Sequence, residues 1–90
     1  MSRYNVGDRV VVRNDLVLYE HYYTDDRKHY DSFVQPMEKL MGKVVTIRDV
    51  QRLSGKYLIV GSTKNWTDEM FAGLEEEVLG VLAVYADDLI

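Results

Sequence analysis

Two runs of β-branched and aromatic residues in the middle of the chain constrain its fold most. The first, KVVTIRDV, starts at Lys43, and the second, KYLIV, starts at Lys56. Residues of these types favour strands, and the intervening QRLSG carries the turn pair Ser54 and Gly55. The two runs therefore predict a β-hairpin, with Gly61 ending its second strand.

A further strand is predicted near the N-terminus, in GDRVVVR at residues 7–13. Val10 and Val12 alternate with charged neighbours at the period of two that marks a half-buried strand, so both valines are expected to point inward. Val11 is expected on the outer face. Another, very short strand is predicted at residues 64–66.

Two short helical turns are predicted between these strands. In PMEKLMG, Pro36 suits the first helical position and Gly42 suits a left-handed cap. In NWTDEMF, Thr67 is placed to cap a turn whose first residues, Asp68 and Glu69, would meet the positive end of the helix dipole. The two carboxylates are therefore interpreted as capping groups, next to the only tryptophan of the chain.

The 90 residues are expected to form one domain, because a chain of this size supplies a single core. The chain has no cysteine, which excludes disulfides, thiolate metal sites and cysteine nucleophiles. The N-terminal stretch MSRYNVGDRV lacks the apolar segment of a signal peptide, and no window is apolar enough for a membrane span. We therefore expect a cytoplasmic protein.

Several short strands, one long early loop and one or two short helical turns predict a mainly β fold, a small SH3-like barrel. The segments VGDRVVVRNDL, MEKLMGKVVTI and WTDEMF resemble small SH3-like barrel proteins encoded by phages and prophages of Gram-positive bacteria, and more distantly the Mind bomb type of SH3-like repeat. The resemblance covers residues 5–73 and implies a non-enzymatic role inside the host cell. Residues 74–90 form an acidic C-terminal extension outside it.

The extension has two interpretations. Apolar residues recur at near-helical spacing from Leu74, whereas VLGVLAVY also fits a buried strand interrupted by Gly80. A strand within residues 81–85 is favoured, because an SH3-like barrel needs a closing partner for its first strand. The acid run Glu75–Glu77 would then lie in an exposed connection.

Charge divides the chain into two parts. Residues 1–64 carry all 11 Lys and Arg against 8 Asp and Glu, whereas residues 65–90 carry 7 Asp and Glu and no Lys or Arg. The net charge of −4 therefore hides a bipolar molecule. The acidic part is interpreted either as a solvated face that keeps the protein soluble or as a surface that docks on a basic protein.

Residues 14–35 show no sustained period and are predicted to form a long, ordered loop with short strand pieces. Half of the ten aromatic residues of the chain fall in this region. Tyrosine and arginine are enriched at interface hot spots, although Phe33 and one tyrosine are expected to anchor the loop. The predicted binding residues are Tyr19, Tyr22, Tyr23, Arg27, Lys28 and Tyr30 in the loop and Glu75, Glu76 and Glu77 in the extension.

Catalytic chemistry finds little support in the sequence. The only imidazoles, His21 and His29, lie in the loop, and no nucleophile or tuned carboxylate pair is evident beside them. With Asp25, Asp26 and Asp31 they have the ligand types of a divalent metal, but their spacing would align them only on a helix. No phosphate-binding glycine loop occurs. We therefore expect no enzyme activity, no metal and no cofactor.

Two binding functions stay open. In the first, the aromatic loop, the acidic extension or both contact a host protein. The phage origin implied by the resemblance makes a defence protein, such as a basic CRISPR nuclease, a suitable target for an anti-defence inhibitor, for example an anti-CRISPR. In the second, the tyrosines stack on nucleic acid, although a pI near 5.0 disfavours this. The cations of this second interface would be Arg13, Arg27, Lys28, Arg48 and Arg52.

Overall fold

The computed structural model describes residues 3–80 of the chain. Six strands form two antiparallel sheets. The strands are β1 (Arg9–Val12), β2 (His21–Tyr23), β3 (Tyr30–Ser32), β4 (Val44–Val50), β5 (Tyr57–Ile59) and β6 (Phe71–Leu74). The first 3-10 helix is Gln35–Leu40, the second is Asp68–Met70, and residues 75–80 are helical. The predicted mainly β class is therefore confirmed.

Four strands make the larger sheet, in the order β5-β4-β1-β6. β4 and β5 form the predicted hairpin, in which Ile47 pairs with Ile59 and the register shifts between Ile47 and Asp49. β1 lies on the other side of β4, with Val10 opposite Val45. The β-branched residues of these segments suit a pleated surface with one face against a core.

The second neighbour of β1 is β6, with Val11 opposite Gly73. Because β1 is thus paired on both sides, it needs no further closing strand, which removes the reason for expecting one within residues 81–85. That segment lies outside the described residues. Within residues 3–80 the larger sheet ends at β5 and β6 and does not close on itself, so the SH3-like barrel stays a prediction.

One apolar core packs against the larger sheet. Val10 and Val12 are fully buried in it, as the alternation predicts. Trp66 stacks on Phe71 with ring centroids 6.0 Å apart, and both rings are buried. The other buried members of the core are Tyr4, Leu16, Phe33, Met37, Val45, Ile47, Tyr57, Ile59 and Met70.

Val11 lies outside this core, on the outer face that the alternation predicts, yet only 7% of it is exposed. The low exposure of Val11 is explained by its register partner, Gly73. A Cβ atom at Gly73 would stand 3.2 Å from Cγ2 of Val78, so the helical residues 75–80 pack closely over this part of the sheet. The missing side chain at Gly73 permits this approach.

The predicted loop at residues 14–35 contains an ordered hairpin made of β2 and β3, in which Tyr23 pairs with Tyr30. This hairpin is a separate, two-stranded sheet. Phe33, directly after β3, is fully buried and anchors the hairpin to the core, as expected. The prediction of short strand pieces in an ordered loop is confirmed.

The remaining short elements differ from the predictions mainly in length. The strand predicted at residues 64–66 is a single bridge, in which Trp66 and Tyr57 exchange backbone hydrogen bonds of 2.7 and 2.9 Å. The helical turn predicted to start at Pro36 is a 3-10 helix that begins one residue earlier, at Gln35, and Gly42 after it has a left-handed φ of 75°. Among residues 3–80, no helix combines the length and the apolar character that crossing a membrane requires.

Candidate functional site

The carboxylate of Asp68 joins the second 3-10 helix both to the core and to the β2–β3 hairpin. Its Oδ2 accepts a hydrogen bond of 2.7 Å from the hydroxyl of Tyr57, and its Oδ1 accepts one of 2.8 Å from the backbone N–H of Asp25. Asp68 is only 4% exposed. A buried charge without partners is costly, and these two donors offset that cost.

The neighbouring Glu69 makes a second connection to the hairpin. Its Oε1 accepts a hydrogen bond of 2.6 Å from the backbone N–H of Tyr23, and its Oε2 accepts one of 3.4 Å from Nη1 of Arg27. Both acids lie in the first turn of the helix, as predicted, but Thr67 makes no side-chain cap hydrogen bond. Thr67 therefore occupies the predicted N-cap position, but its side chain does not cap the helix. Both carboxylates bind the hairpin, through its backbone N–H groups and the guanidinium of Arg27, and Asp68 also binds the hydroxyl of Tyr57.

Three rings of the hairpin form an exposed surface. The ring centroids of His21 and Tyr30 lie 4.3 Å apart, and those of Tyr23 and Tyr30 lie 5.7 Å apart. The guanidinium carbon of Arg27 lies 4.8 Å from the centre of the Tyr23 ring, a cation–π contact. We call His21, Tyr23, Arg27 and Tyr30 the aromatic face; Tyr23 is half-buried and the other three are exposed.

The backbone on either side of β2 adopts an uncommon conformation. Tyr19 has a φ of 69° and Arg27 a φ of 60°, and among residues 3–80 these are the only non-glycine residues with positive φ. The left-handed region costs an ordinary residue roughly 1–2 kcal/mol. Such strain is found disproportionately at functional sites, and both residues belong to the predicted binding set. Tyr19 is also 68% exposed.

The other predicted residues of the loop are placed differently. Tyr22 packs against the core, and its hydroxyl oxygen accepts a hydrogen bond of 2.8 Å from the N–H of Val17. It therefore anchors the loop, the role that the sequence suggested for one tyrosine. Lys28 is exposed in the turn between β2 and β3 and makes none of the ring contacts.

His21 belongs to the aromatic face, although the sequence predicts it only as a candidate catalytic group or metal ligand. On a strand, residues two apart share a face. The spacing of His21 and Tyr23 was therefore the signal that could have identified it.

Asp26 fixes the turn between β2 and β3. Its Oδ1 accepts hydrogen bonds from the backbone N–H of Lys28, at 2.9 Å, and from the hydroxyl of Thr24, at 2.7 Å. These bonds, the backbone one first, favour the ionised form and lower the pKa of Asp26 below its ordinary value of 3.8. At neutral pH a charged carboxylate therefore shapes the turn in which Arg27 lies.

The acid run Glu75–Glu77 is helical, which corrects the prediction of an exposed connection between strands. Glu75 is already paired, since its Oε1 lies 3.0 Å from Nε of Arg9. Glu76 and Glu77 are exposed. The acidic surface of the described chain is therefore smaller than the sequence suggested.

The chain matches no family model, no curated protein and no solved structure. In the part of the chain that the structure describes, no three His, Cys, Asp or Glu side chains gather where they could hold a metal ion. The candidate site therefore rests on the aromatic face and the two carboxylates that support it.

Proposed function

We propose that this chain is a non-enzymatic binding module that contacts a partner protein through the aromatic face of the β2–β3 hairpin. The main support is the exposed cluster in which Tyr23 and Tyr30 contact each other and Arg27 covers the ring of Tyr23. Tyrosine and arginine dominate interface hot spots, because they present a large contact area together with polar tips.

The attachment of the hairpin also supports the proposal. Glu69 binds both the backbone of Tyr23 and the side chain of Arg27, and Asp68 binds the backbone of Asp25. A surface that is ordered before binding loses less conformational entropy when a partner arrives. The two carboxylates thus hold the aromatic face in a defined geometry in the free protein.

A nucleic-acid partner is supported less well by the positions of the cations. Arg27 is paired with Glu69, and Nε of Arg13 lies 2.9 Å from Oδ1 of Asp15. Arg48 lines a different cleft from Arg13 and Arg27. Binding of a single strand needs a positively charged groove that follows the phosphate backbone, whereas these charges are divided and partly neutralised.

The resemblance to phage and prophage proteins suggests the setting. The partner would be a host protein in the cytoplasm, and the chain would act as an anti-defence inhibitor, such as an anti-CRISPR. A basic nuclease as target would be attracted by Glu76 and Glu77, whereas the aromatic face carries the positive charge of Arg27. The experiment must therefore separate the two surfaces.

Affinity capture from a lysate of a Gram-positive bacterium tests the proposal with three versions of the protein. The wild type is compared with a hairpin variant, Tyr23→Ala with Arg27→Ala and Tyr30→Ala, and with an acidic-surface variant, Glu76→Gln with Glu77→Gln. Each capture is run with and without nuclease. We expect a protein that the wild type and the acidic-surface variant retain and the hairpin variant loses, whether or not nuclease is added.

The opposite results have distinct meanings. Loss of the captured protein in the acidic-surface variant alone would move recognition to Glu76 and Glu77. Capture that disappears with nuclease would favour the nucleic-acid function. Thermal melting of the hairpin variant checks that it is folded: Arg27 and Tyr30 are exposed and contribute little to stability, whereas Tyr23 is half-buried.

A further inference from the structure

A second surface, apart from the aromatic face, gathers positive charge around an open cleft of about 500 Å³. Lys39 enters it from the first 3-10 helix, Arg48 from β4, and Lys64 from the loop that follows β5. No Asp or Glu among the described residues lines this cleft. It shares no lining residue with the aromatic face, so the two surfaces can be changed independently.

The three cations of the cleft are free of ion pairs with the described residues. All eleven Lys and Arg of the chain lie within residues 3–80, and seven of them form no ion pair there. Three of these seven line this one cleft. Like charges that converge without a counter-charge repel one another, and an anion relieves the repulsion. This local excess of positive charge contrasts with the net charge of −4 of the whole chain. The cations that do form ion pairs are Arg9, Arg13, Arg27 and Lys56.

The hydroxyl of Ser62 in the wall of the cleft adds a neutral donor. Its oxygen accepts hydrogen bonds of 3.2 Å from the backbone N–H of Lys64 and from the indole N–H of Trp66. Both lone pairs are thus occupied, and the hydroxyl hydrogen has no acceptor among the described residues. This leaves a donor in the wall of a cleft that contains three cations.

We propose that this cleft binds the phosphate groups of a small phosphorylated molecule. Phosphate oxygens are acceptors only, and they make short, strong hydrogen bonds to lysine, arginine and hydroxyl donors. The size of the cleft lies within the range of roughly 300–1,000 Å³ that is typical of small-molecule sites. None of the described residues that line it is aromatic, so it offers no ring on which the bases of a single strand could stack.

Titration with pyrophosphate at low ionic strength tests the proposal. Trp66 is the only tryptophan of the chain and donates to Ser62, so its fluorescence reports on a ligand that engages this hydroxyl. Isothermal calorimetry gives an independent dissociation constant. We expect saturable binding with one site and a change in Trp66 fluorescence that follows the calorimetric curve.

Two double variants that remove equal charge locate the site. The cleft variant is Arg48→Gln with Lys64→Gln, and the matched control is Lys28→Gln with Arg52→Gln, whose side chains are exposed outside the cleft. Because charge-assisted hydrogen bonds to phosphate are strong, the cleft variant should bind pyrophosphate at least about tenfold more weakly than wild type. The control should differ from wild type by less than about twofold, the effect of net charge alone.

Three results would overturn the proposal. The first is equal weakening in both double variants, which would show that only overall charge matters. The second is the absence of calorimetric heat and fluorescence change at millimolar pyrophosphate. The third is tighter binding of a single-stranded oligonucleotide than of pyrophosphate, weakened by the same cleft variant, which would assign the cleft to nucleic acid.

Discussion

The larger sheet and the β2–β3 hairpin are held in place by different kinds of contact. The sheet is backed by side chains such as Val10, Ile47 and Trp66, which are almost fully buried against one another. The hairpin region contributes the buried Phe33 to this core, and the partly buried Tyr22 packs against it. Otherwise it is fastened by polar bonds, to the carboxylates of Asp68 and Glu69 and through the ion pair of Lys56 with Asp31 at 3.1 Å.

Because of this difference, the stability of the sheet and the geometry of the candidate binding surface depend on different contacts. Apolar contacts are numerous and non-directional, so a core tolerates the loss of contacts elsewhere in the molecule. Polar attachments are few, and each can be removed by one substitution. We therefore expect that changes in the core destabilise the sheet most, whereas the hairpin can be loosened while the sheet stays intact.

The largest effect is expected from Trp66→Ala. Trp66 is fully buried, stacks on Phe71 and donates its indole N–H to Ser62. Truncation of a buried tryptophan typically costs about 3–5 kcal/mol, a large part of the stability of a domain of this size. Urea unfolding followed by circular dichroism should show the loss, and a variant as stable as wild type would place Trp66 outside the core.

A smaller but still large effect is expected from Asp68→Ala, which acts on both regions. The substitution leaves the buried hydroxyl of Tyr57 and the N–H of Asp25 without their acceptor, at a cost of roughly 2–3 kcal/mol. Asp49→Ala is the control, because Asp49 is exposed and its side-chain hydrogen bond is to the adjacent N–H of Val50. Equal urea midpoints for the two variants would show that Asp68 is not a structural connection.

The sheet was largely predictable from the sequence, because three of its four strands carry a local pattern. The alternation of Val10 and Val12 and the turn at Ser54 and Gly55 led directly to β1 and to the β4–β5 hairpin. The exception is β6, whose sequence FAGL is too short to show a period and contains a glycine. Its pairing with β1 depends on the tertiary fold.

The attachment of the hairpin could not be predicted, because it joins residues far apart in the chain. The local sequence predicts Asp68 and Glu69 at the start of a helical turn, where they lie, but their partners Tyr23 and Asp25 are more than 40 positions earlier. Acids in the first turn of a helix are adequately explained by the helix dipole, so nothing local indicated a second role. Only the three-dimensional arrangement reveals it.

A more local effect is expected from Glu69→Ala. The N–H of Tyr23 and the guanidinium of Arg27 lose their carboxylate partner. The free energy of opening the hairpin should therefore fall by about 1 kcal/mol. Hydrogen exchange at the Thr24 amide, which donates to the carbonyl oxygen of His29 within the hairpin, should then be roughly fivefold faster, while the amides of β4 exchange as before. Glu76→Ala is the control, and exchange that rises equally in β4 would show that hairpin and sheet open as one unit.

The smallest effect on stability is expected from Tyr19→Gly, although it changes the binding surface. Tyr19 has a φ of 69°, and glycine removes the left-handed strain of roughly 1–2 kcal/mol at an entropic cost of roughly 0.5–1 kcal/mol. The free energy of unfolding should therefore stay within about 1 kcal/mol of wild type. Tyr19→Ala keeps the strain and should be the less stable of the two variants in urea. The reverse order would show that the backbone at Tyr19 is unstrained, whereas both variants should lose affinity for a captured partner if the exposed ring contributes to recognition.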